Sequence, residues 1–525
     1  MPIPEIINKS PKKSAFLAGA IFLLGYWLIG FDGITFSDDV YYLLAGRDFW
    51  NGTMEFNSYH FSTRWGAYVP SGLMGILLGS DPHRVSFISL LAYIGTLAML
   101  VKILPKQYSP WVLVIWFSTQ VYFLHFLTKV YPDSLLVFWT ALVPFSAVFR
   151  KKHPLSASLG VIAGLFFGFL TKETIVFLAP FPVLLFLLDW KNKQLNRRFY
   201  LSLLGLGLLF GSAYMAYFWV EFGHPLYRFQ SIQEGHYISE FTYADKSVWV
   251  MVKRLSLFPI LTFVERSYWL WIVFAIPALV RLRKNPRSPE VEFGLAFLSL
   301  LCCFWFMSTN FQFYNPLYLN PRHLIILIPV LAFLISLGWQ EWQSNPRLRW
   351  WLIVLIQFGV VISLVQLDWK MAGFQTLVGG VLIWKNLPMN KWILGAVLLV
   401  PALASIYYQG QVKAYPEFIN SLRKEVKNTG NQPPILTNNF VHFSREVLFP
   451  NDPKAQELLL PIEKLDSLAP ILPLEFRVYL YDYYRHAYPK EQEDIDRLEI
   501  FLQNHCRLIE EERKGKIWNR SFRMK

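Results

Sequence analysis

Two adjacent carboxylates, Asp38 and Asp39, follow the first apolar segment of the chain by a few residues. Adjacent like charges repel, so a site that confines both raises the pKa of one of them or recruits a cation. A carboxylate in a partly dry cleft also suits a general base. A solvated helix start explains the same residues, because Ser and Asp both cap helices well. The pair is a candidate catalytic site, and capping stays open as the alternative.

The segment after the acidic pair contributes His60 and Arg64. A guanidinium group binds two phosphate oxygens at once, so Arg64 is a candidate phosphate ligand. An arginine that extends to lipid headgroups from the membrane interface is the alternative. His60 is a weaker candidate, for a supporting role.

Further ionisable residues lie next to helix ends in three short segments. These residues are Asp133, Lys172, Glu173, Arg322 and His323. Helix starts and interfacial anchors account for each of them singly. Taken together, several cations and carboxylates suit an anionic substrate whose reaction needs a base, such as a lipid-linked phosphosugar.

The elements that position these residues are membrane-spanning helices. Hydrophobic residues make up 54% of the 525 and charged residues 16%, against about 25% charged in a soluble domain. A span needs roughly 20 mostly apolar residues. Thirteen segments qualify, if some borrow flanking residues: 15–31, 85–102, 110–127, 134–149, 155–170, 174–189, 199–220, 268–281, 291–308, 322–338, 350–367, 371–386 and 391–408.

The orientation follows from the basic residues. With the N-terminus inside, every inner loop carries at least two cations, for example Arg150 to Lys152, as the positive-inside rule requires. The residues 32–84 and 221–267 then form long outer loops, with interfacial helices near 69–79 and 248–263. All nine candidate residues fall on the outer face, and ionisable groups near membrane depth usually mark a function.

The net charge of +14 reflects this loop pattern, and it indicates anionic headgroups and no nucleic acid as a partner. The three cysteines have no metal-ligand spacing. Residues 410–525 are polar and mix helical and strand-like segments, which predicts a small α/β domain outside the membrane. The predicted fold is therefore mostly α: a polytopic helical bundle in residues 1–409, followed by this domain.

The chain resembles the polytopic glycosyltransferases of the GT-C superfamily, the group that holds protein O-mannosyltransferases, the lipid A aminoarabinose transferase and Rgt-type sugar transferases. The features that carry the resemblance are Asp38-Asp39 followed by Tyr41, the segment from Arg64 to Gly79, and the helix starts at Pro132-Asp133, Lys172 and Arg322. The similarity covers roughly residues 10–340. The family's acidic pair is often Asp-Glu, so either aspartate can correspond to the family's acid.

The resemblance implies inverting sugar transfer from a polyprenyl-phosphate donor to an acceptor hydroxyl at the outer face of a bacterial cytoplasmic membrane. The residue expected to deprotonate or position the hydroxyl is Asp38, which is preferred over Asp39 because it matches the family's leading acid by position. The residues expected to bind the donor phosphate are, in falling order of preference, Lys172, Arg64 and Arg322. The supporting or acceptor-side residues are Asp133, His60, Glu173 and His323. No cofactor is required by the resemblance, and metal dependence stays open, with Asp38, Asp39 and Asp133 as the ligands if a divalent ion binds.

Two other functions fit part of the pattern. A lipid or solute transporter has many spans and buried charges, but it often shows internal repeats and charges at the midplane. An O-antigen ligase or polymerase has its large outer loop late in the chain, whereas the acidic loop comes first here. The sugar and the acceptor, whether lipid, glycan or protein, are not determined by the sequence.

Overall fold

A computed structural model describes residues 11–56, 59–234, 242–243, 245–284, 288–310, 313–383, 390–427, 433–483 and 488–525. Residues 235–241 and 244 of the predicted second outer loop lie outside this described part. The described chain forms a large helical module, followed by a smaller domain with a mixed sheet.

The helical module contains twenty-one described α-helices, several of which begin with a proline whose missing N–H costs nothing at the first helical position. The first eleven are α1 (Pro11–Ile29), α2 (Asp38–Asn51), α3 (Trp65–Leu78), α4 (Pro82–Val85), α5 (Phe87–Ile103), α6 (Pro110–Phe117), α7 (Val121–Leu127), α8 (Pro132–Ala147), α9 (Pro154–Thr171), α10 (Pro180–Lys191) and α11 (Arg197–Phe222). The others are α12 (Tyr227–Glu234), α13 (Val248–Ser256), α14 (Phe258–Glu265), α15 (Trp269–Lys284), α16 (Glu290–Phe306), α17 (Pro321–Leu324), α18 (Leu327–Ser344), α19 (Pro346–Val365), α20 (Trp369–Ile383) and α21 (Asn390–Lys413).

The chain is an integral membrane protein. A helix or helix pair lies at each of the thirteen predicted spans. By length and composition, seven helices of the described chain can cross a membrane, or up to nine if each bent pair is one span. The number thirteen therefore stays a prediction. Helix α18 is buried over most of its length against α6, α15 and α16, whereas α11 exposes leucines such as Leu201 and Leu209, which suits a lipid-facing helix.

The first outer loop is mostly helical. Helices α2 and α3 pack backbone to backbone, since a Cβ added at Gly72 would lie 2.2 Å from the carbonyl oxygen of Gly46. Helix α3 spans 14 residues, a little longer than the interfacial segment predicted at 69–79. A Cβ added at Gly66 would lie 2.4 Å from Thr171 Oγ1. This close approach holds the start of α3 against the outer end of α9, where Lys172 follows.

The C-terminal domain confirms the predicted small α/β unit. Its helices and strands are α22 (Tyr415–Lys427), β1 (Ile435–Thr437), α23 (Asn439–Phe443), α24 (Arg445–Leu448), α25 (Pro453–Leu458), β2 (Leu459–Pro461), α26 (Leu465–Leu468), β3 (Glu475–Tyr481), α27 (Glu491–His505), β4 (Cys506–Lys514) and β5 (Ile517–Met524). The strand order is β2-β1-β3-β5-β4. Strand β1 is parallel to both of its neighbours, β2 and β3. Strand β5 is antiparallel to both of its neighbours, β3 and β4.

An aromatic cluster joins this domain to the first outer loop. Phe36, from the loop, lies with its ring centroid 5.8 Å from Phe418 and 5.3 Å from Phe440. Tyr488 also donates a hydrogen bond to the carbonyl of Phe36 at 2.7 Å. Phe36 is buried and has a φ of 55°, a left-handed conformation that few bulky residues adopt. The domain thus packs directly on the two residues that precede Asp38.

Candidate functional site

Asp38 and Arg322 form an ion pair between the first turn of α2 and the start of α17. Arg322 Nη1 donates to Asp38 Oδ2 at 2.7 Å, and Arg322 Nε donates to His323 Nε2 at 3.3 Å. His323 Nδ1 lies 3.0 Å from the carbonyl oxygen of Tyr318. A ring that accepts through Nε2 and donates through Nδ1 is a neutral histidine.

The charges of the site explain the titration of Asp38. Burial alone would raise the pKa of Asp38, but Arg322, Lys172 and Arg64 outweigh it and hold that pKa below its ordinary value. Near neutral pH, Asp38 is therefore a carboxylate.

Asp39 has different surroundings from Asp38. It is 2% exposed. Its carboxylate accepts the backbone N–H groups of Thr35, Ser37 and Val40 at 2.6, 3.1 and 3.0 Å, and the hydroxyl of Thr35 at 2.7 Å. These four bonds shape the loop that leads into α2. Of the two predicted catalytic acids, Asp38 is the one with a partly exposed carboxylate.

Lys172 and Asp133 form a second, buried pair. Lys172 follows the last residue of α9, Asp133 lies in the first turn of α8, and Lys172 Nζ contacts both carboxylate oxygens of Asp133 at 2.8 Å. Only 5% of the lysine side chain and 0% of the aspartate side chain are exposed. An ammonium group has three donors, so Lys172 keeps one for a ligand.

Glu173 joins two arginines in a third group. Arg64 donates through Nε to Glu173 Oε2 at 3.0 Å and pairs through Nη2 with Oε1. Arg64 also donates to the hydroxyl of Tyr42 at 2.6 Å. Arg228 Nη2 also donates to Glu173 Oε2, at 3.1 Å. Arg64 is 1% exposed, so the structure surrounds this predicted phosphate ligand with protein partners.

His60 lies in a 3₁₀ turn, His60–Thr63, and is 2% exposed. Its ring packs edge-on against Phe61 with centroids 4.3 Å apart. Of the nine predicted site residues, the structure thus joins Asp38 with Arg322 and His323, Asp133 with Lys172, and Arg64 with Glu173. The charges of Lys172 and Arg64 act on Asp38, so the three groups lie within electrostatic reach of one another.

Two cavities are lined in part by residues of this site. A cleft of about 1080 Å³ lies between the first outer loop and the C-terminal domain and contains Asp38. A smaller cavity of about 170 Å³ contains Lys172 and His323. Its other walls are mostly apolar and include Val176, Ile232, Met307 and Leu317. The contacts from Asp38 through Arg322 to His323 connect the two.

The predicted metal ligands do not suit a divalent ion. Asp38 is paired with Arg322, Asp39 accepts four bonds from its own loop, and Asp133 is paired with Lys172. In the described part of the chain, no group of three or more His, Cys, Asp or Glu residues could hold a metal. The chemistry below therefore uses side chains alone.

Sequence reasoning missed Arg228 and a second buried charge cluster. In that cluster Asp32 Oδ1 pairs with Lys129 Nζ. The other oxygen, Asp32 Oδ2, lies 3.2 Å from Lys413 Nζ and 3.8 Å from His125 Nδ1. The cluster ties the end of α21 to the start of the first outer loop. A charged residue in a short outer segment was the only available signal, because the partners come from distant parts of the sequence.

Comparisons with known proteins show the fold. No protein-family model and no curated protein sequence matches the chain. The structure is similar to the crystal structure of ArnT from Cupriavidus metallidurans bound to undecaprenyl phosphate, with a TM-score of 0.60, 12% identity, and coverage of 96% of this chain and 97% of that chain. For ArnT in the apo state the values are 0.58, 11%, 98% and 98%. The fold expected from the GT-C resemblance is therefore confirmed.

Proposed function

We propose that this protein is a membrane glycosyltransferase that moves a sugar, with inversion, from a polyprenyl-phosphate donor to an acceptor hydroxyl at the outer face of the membrane. The observation that carries the proposal is the series of contacts from Asp38 through Arg322 to His323, which joins a cleft lined by charged and aromatic residues to a mostly apolar cavity. One substrate of such an enzyme is a lipid and the other is polar. The reacting groups must lie where the two meet.

The apolar cavity is proposed to hold the part of the donor's prenyl chain that lies next to the phosphate. Its mostly apolar walls suit a prenyl chain. Lys172 also lines the cavity, and its ammonium group keeps one N–H for a hydrogen bond to a phosphate oxygen. Arg322 Nη2 makes no hydrogen bond to another described residue, so this group is also open to the phosphate. The fold is shared with an ArnT structure that contains undecaprenyl phosphate, which supports this choice of donor.

In the proposed reaction the acceptor oxygen bonds to the anomeric carbon while the bond from that carbon to the phosphate oxygen breaks. Lys172 and Arg322 stabilise the negative charge that grows on the departing phosphate. Asp38 accepts a hydrogen bond from the acceptor hydroxyl and takes its proton as the new bond forms. Its lowered pKa keeps it charged, so it also stabilises the positive charge that develops on the sugar.

The test uses purified full-length protein with synthetic undecaprenyl-phosphate hexoses and pentoses and crude cell-envelope material as acceptor. Release of undecaprenyl phosphate and attachment of labelled sugar are measured together. We expect Asp38→Asn to lower transfer by about 10²-fold or more. Asp48→Asn, on the same helix but paired with Arg47, is the matched control and should keep the wild-type rate.

Two results would contradict the proposal. One is an unchanged transfer rate in Asp38→Asn protein that folds and inserts normally. The other is movement of intact donor across liposomes that contain the protein, without formation of a glycosidic bond, which would favour the transporter.

A further inference from the structure

The cleft beside Asp38 differs from the donor cavity in its lining. Its volume of about 1080 Å³ is at the upper end of the roughly 300–1,000 Å³ of ligand pockets, so an extended acceptor has room. Among the described residues that line it, every hydrocarbon side chain except Pro489 is aromatic. The Phe and Tyr residues are Phe36, Tyr41, Tyr59 and Phe61 on the membrane side and Phe440, Phe443 and Tyr488 on the domain side.

This lining discriminates between classes of acceptor. A lipid chain fits branched aliphatic walls, which the donor cavity has in Val176, Ile232 and Leu317 beside three phenylalanines, whereas the cleft lining has no branched aliphatic side chain among its described residues. Flat aromatic rings instead fit the C–H faces of pyranose rings, and their packing preferences come from the π-system. Phe443 is the most accessible of these rings, at 49% exposure, and Phe440 stacks on Tyr488 with centroids 5.4 Å apart.

The charges of the cleft disfavour a phosphorylated acceptor. Four described carboxylates line it, from Asp38, Glu463, Glu491 and Asp494, against the cations of Arg445 and Lys490. Arg445 is itself directed at the carbonyl and ring of His442, at 3.0 and 3.2 Å. Arg322 and Arg497 pair with Asp38 and Asp494 from outside the lining, so the cleft has no excess of positive charge to attract a phosphate group. Carboxylate and amide side chains accept and donate hydrogen bonds to sugar hydroxyls.

Tyr41 adds an independent observation. It lies three residues after Asp38 on α2, so the two side chains are on the same face of the helix. Its hydroxyl is buried and has no hydrogen-bond partner in the described structure. Buried hydroxyls are normally paired, and Tyr41 lines the same cleft as Asp38, so its hydroxyl is a candidate partner for a hydroxyl of the ligand.

We propose that the acceptor is a glycan without phosphate groups, which binds in this cleft with its rings against the aromatic walls and one hydroxyl at Asp38. The inference rests on the proposed transfer reaction and names its acceptor class. The glycan hydroxyl oxygen bonds to the anomeric carbon of the donor sugar, its proton goes to Asp38, and the polyprenyl phosphate leaves with the electron pair of the broken bond.

The experiment measures binding of labelled full-length protein in detergent micelles to an array of neutral, amino and phosphorylated oligosaccharides and hydroxyl-rich peptides. We expect binding to neutral or amino glycans, and about a tenfold loss of it in Phe443→Ala. Ile471→Ala removes a side chain of the same domain that is 76% exposed and outside the cleft lining, so it should bind as the wild type does. Tyr41→Phe keeps the ring and should slow transfer to the bound glycan more than it weakens binding.

A parallel measurement follows undecaprenyl phosphate binding in the same preparations. Phe443→Ala should retain it, which separates the glycan site from the donor site. Preferential binding of peptides or phosphorylated glycans, no binding to any sugar, or wild-type binding by Phe443→Ala would overturn the inference. Those results would leave the proposed function standing if undecaprenyl phosphate still binds. If the wild-type protein does not bind undecaprenyl phosphate, that result would instead contradict the proposed function.

Discussion

Arg322 Nη1 lies 2.7 Å from Asp38 Oδ2, although the two residues are 284 positions apart in the chain. The side chains are 24% and 18% exposed, so a substrate can reach both while water is largely excluded. The Arg322 guanidinium also lies over the ring of Tyr131, 5.3 Å from its centroid. The ion pair therefore fixes the start of α2 against a helix that comes late in the sequence.

The stability of this pair is the first prediction. Asp38→Asn and Arg322→Gln should each lower the midpoint of thermal unfolding in detergent, because each leaves a desolvated charge without its partner. The double variant should recover part of the loss, with a coupling energy of about 0.5–3 kcal/mol. Additive losses would show that the two side chains do not interact in the folded protein.

The pH dependence of transfer is the second prediction. The folded-state pKa of Asp38 is lowered, so its charged pair with Arg322 is complete above the ordinary pKa of about 3.9. The pair is lost only as the pH falls through the lower folded-state value. Between pH 5 and 8 the wild-type transfer rate should therefore show no acidic limb from Asp38.

Arg322→Gln should create such a limb. Without the arginine, the largest charge that lowers the pKa of Asp38 is removed, and burial then raises that pKa. The transfer rate of this variant should fall as the pH is lowered from 8 to 5. Arg322→Lys keeps the charge and is the control. A pH profile of Arg322→Gln parallel to that of the wild type would contradict the assignment of Asp38 as the titrating group.

Lys172 carries the third prediction. Lys172→Met has a similar length but no charge, and it should weaken undecaprenyl phosphate binding about 10- to 100-fold, the usual value of a hydrogen bond to a charged group. Asp133→Asn should retain that binding, because it removes the carboxylate that occupies two of the lysine donors. Equal losses in both variants would indicate that the pair only supports the fold.

Much of the architecture follows from the sequence. The apolar segments predicted the helices because a bilayer selects for length and hydropathy, which are local properties. The outer location of the candidate residues followed from the same segments and stays a prediction. The mixture of strand-like and helical segments in residues 410–525 was also apparent in this polar region, and the structure has a five-stranded sheet there.

The pairing of the site residues was beyond sequence reasoning. Nothing local distinguishes Asp38 from Asp39, yet one carboxylate meets Arg322 and the other is consumed by its own loop. Arg64 and Lys172 have the same charge, but only Lys172 lines the apolar cavity. These differences arise when α2, α3 and α17 pack together, and such long-range contacts leave no periodic signal in one sequence.

The role of Arg64 is the fourth prediction, because the sequence suggested a phosphate ligand and the structure suggests a structural ion pair. Arg64 and Arg228 are each 1% exposed, and both pair with Glu173. Arg64→Met should lower stability by about 3–5 kcal/mol, the usual loss when one partner of a buried pair is removed.

The double variant Arg64→Met with Glu173→Gln should regain little of that stability, because Arg228 is then left buried without its carboxylate partner. Undecaprenyl phosphate binding per folded molecule should stay within about threefold of the wild type. Loss of a hydrogen bond to a charged group would instead weaken binding about 10- to 100-fold. Binding and thermal stability are measured on the same purified samples, with Lys172→Met as the positive control. If Arg64→Met instead weakens binding as strongly as Lys172→Met does, Arg64 contacts the donor phosphate and the sequence-based role is correct.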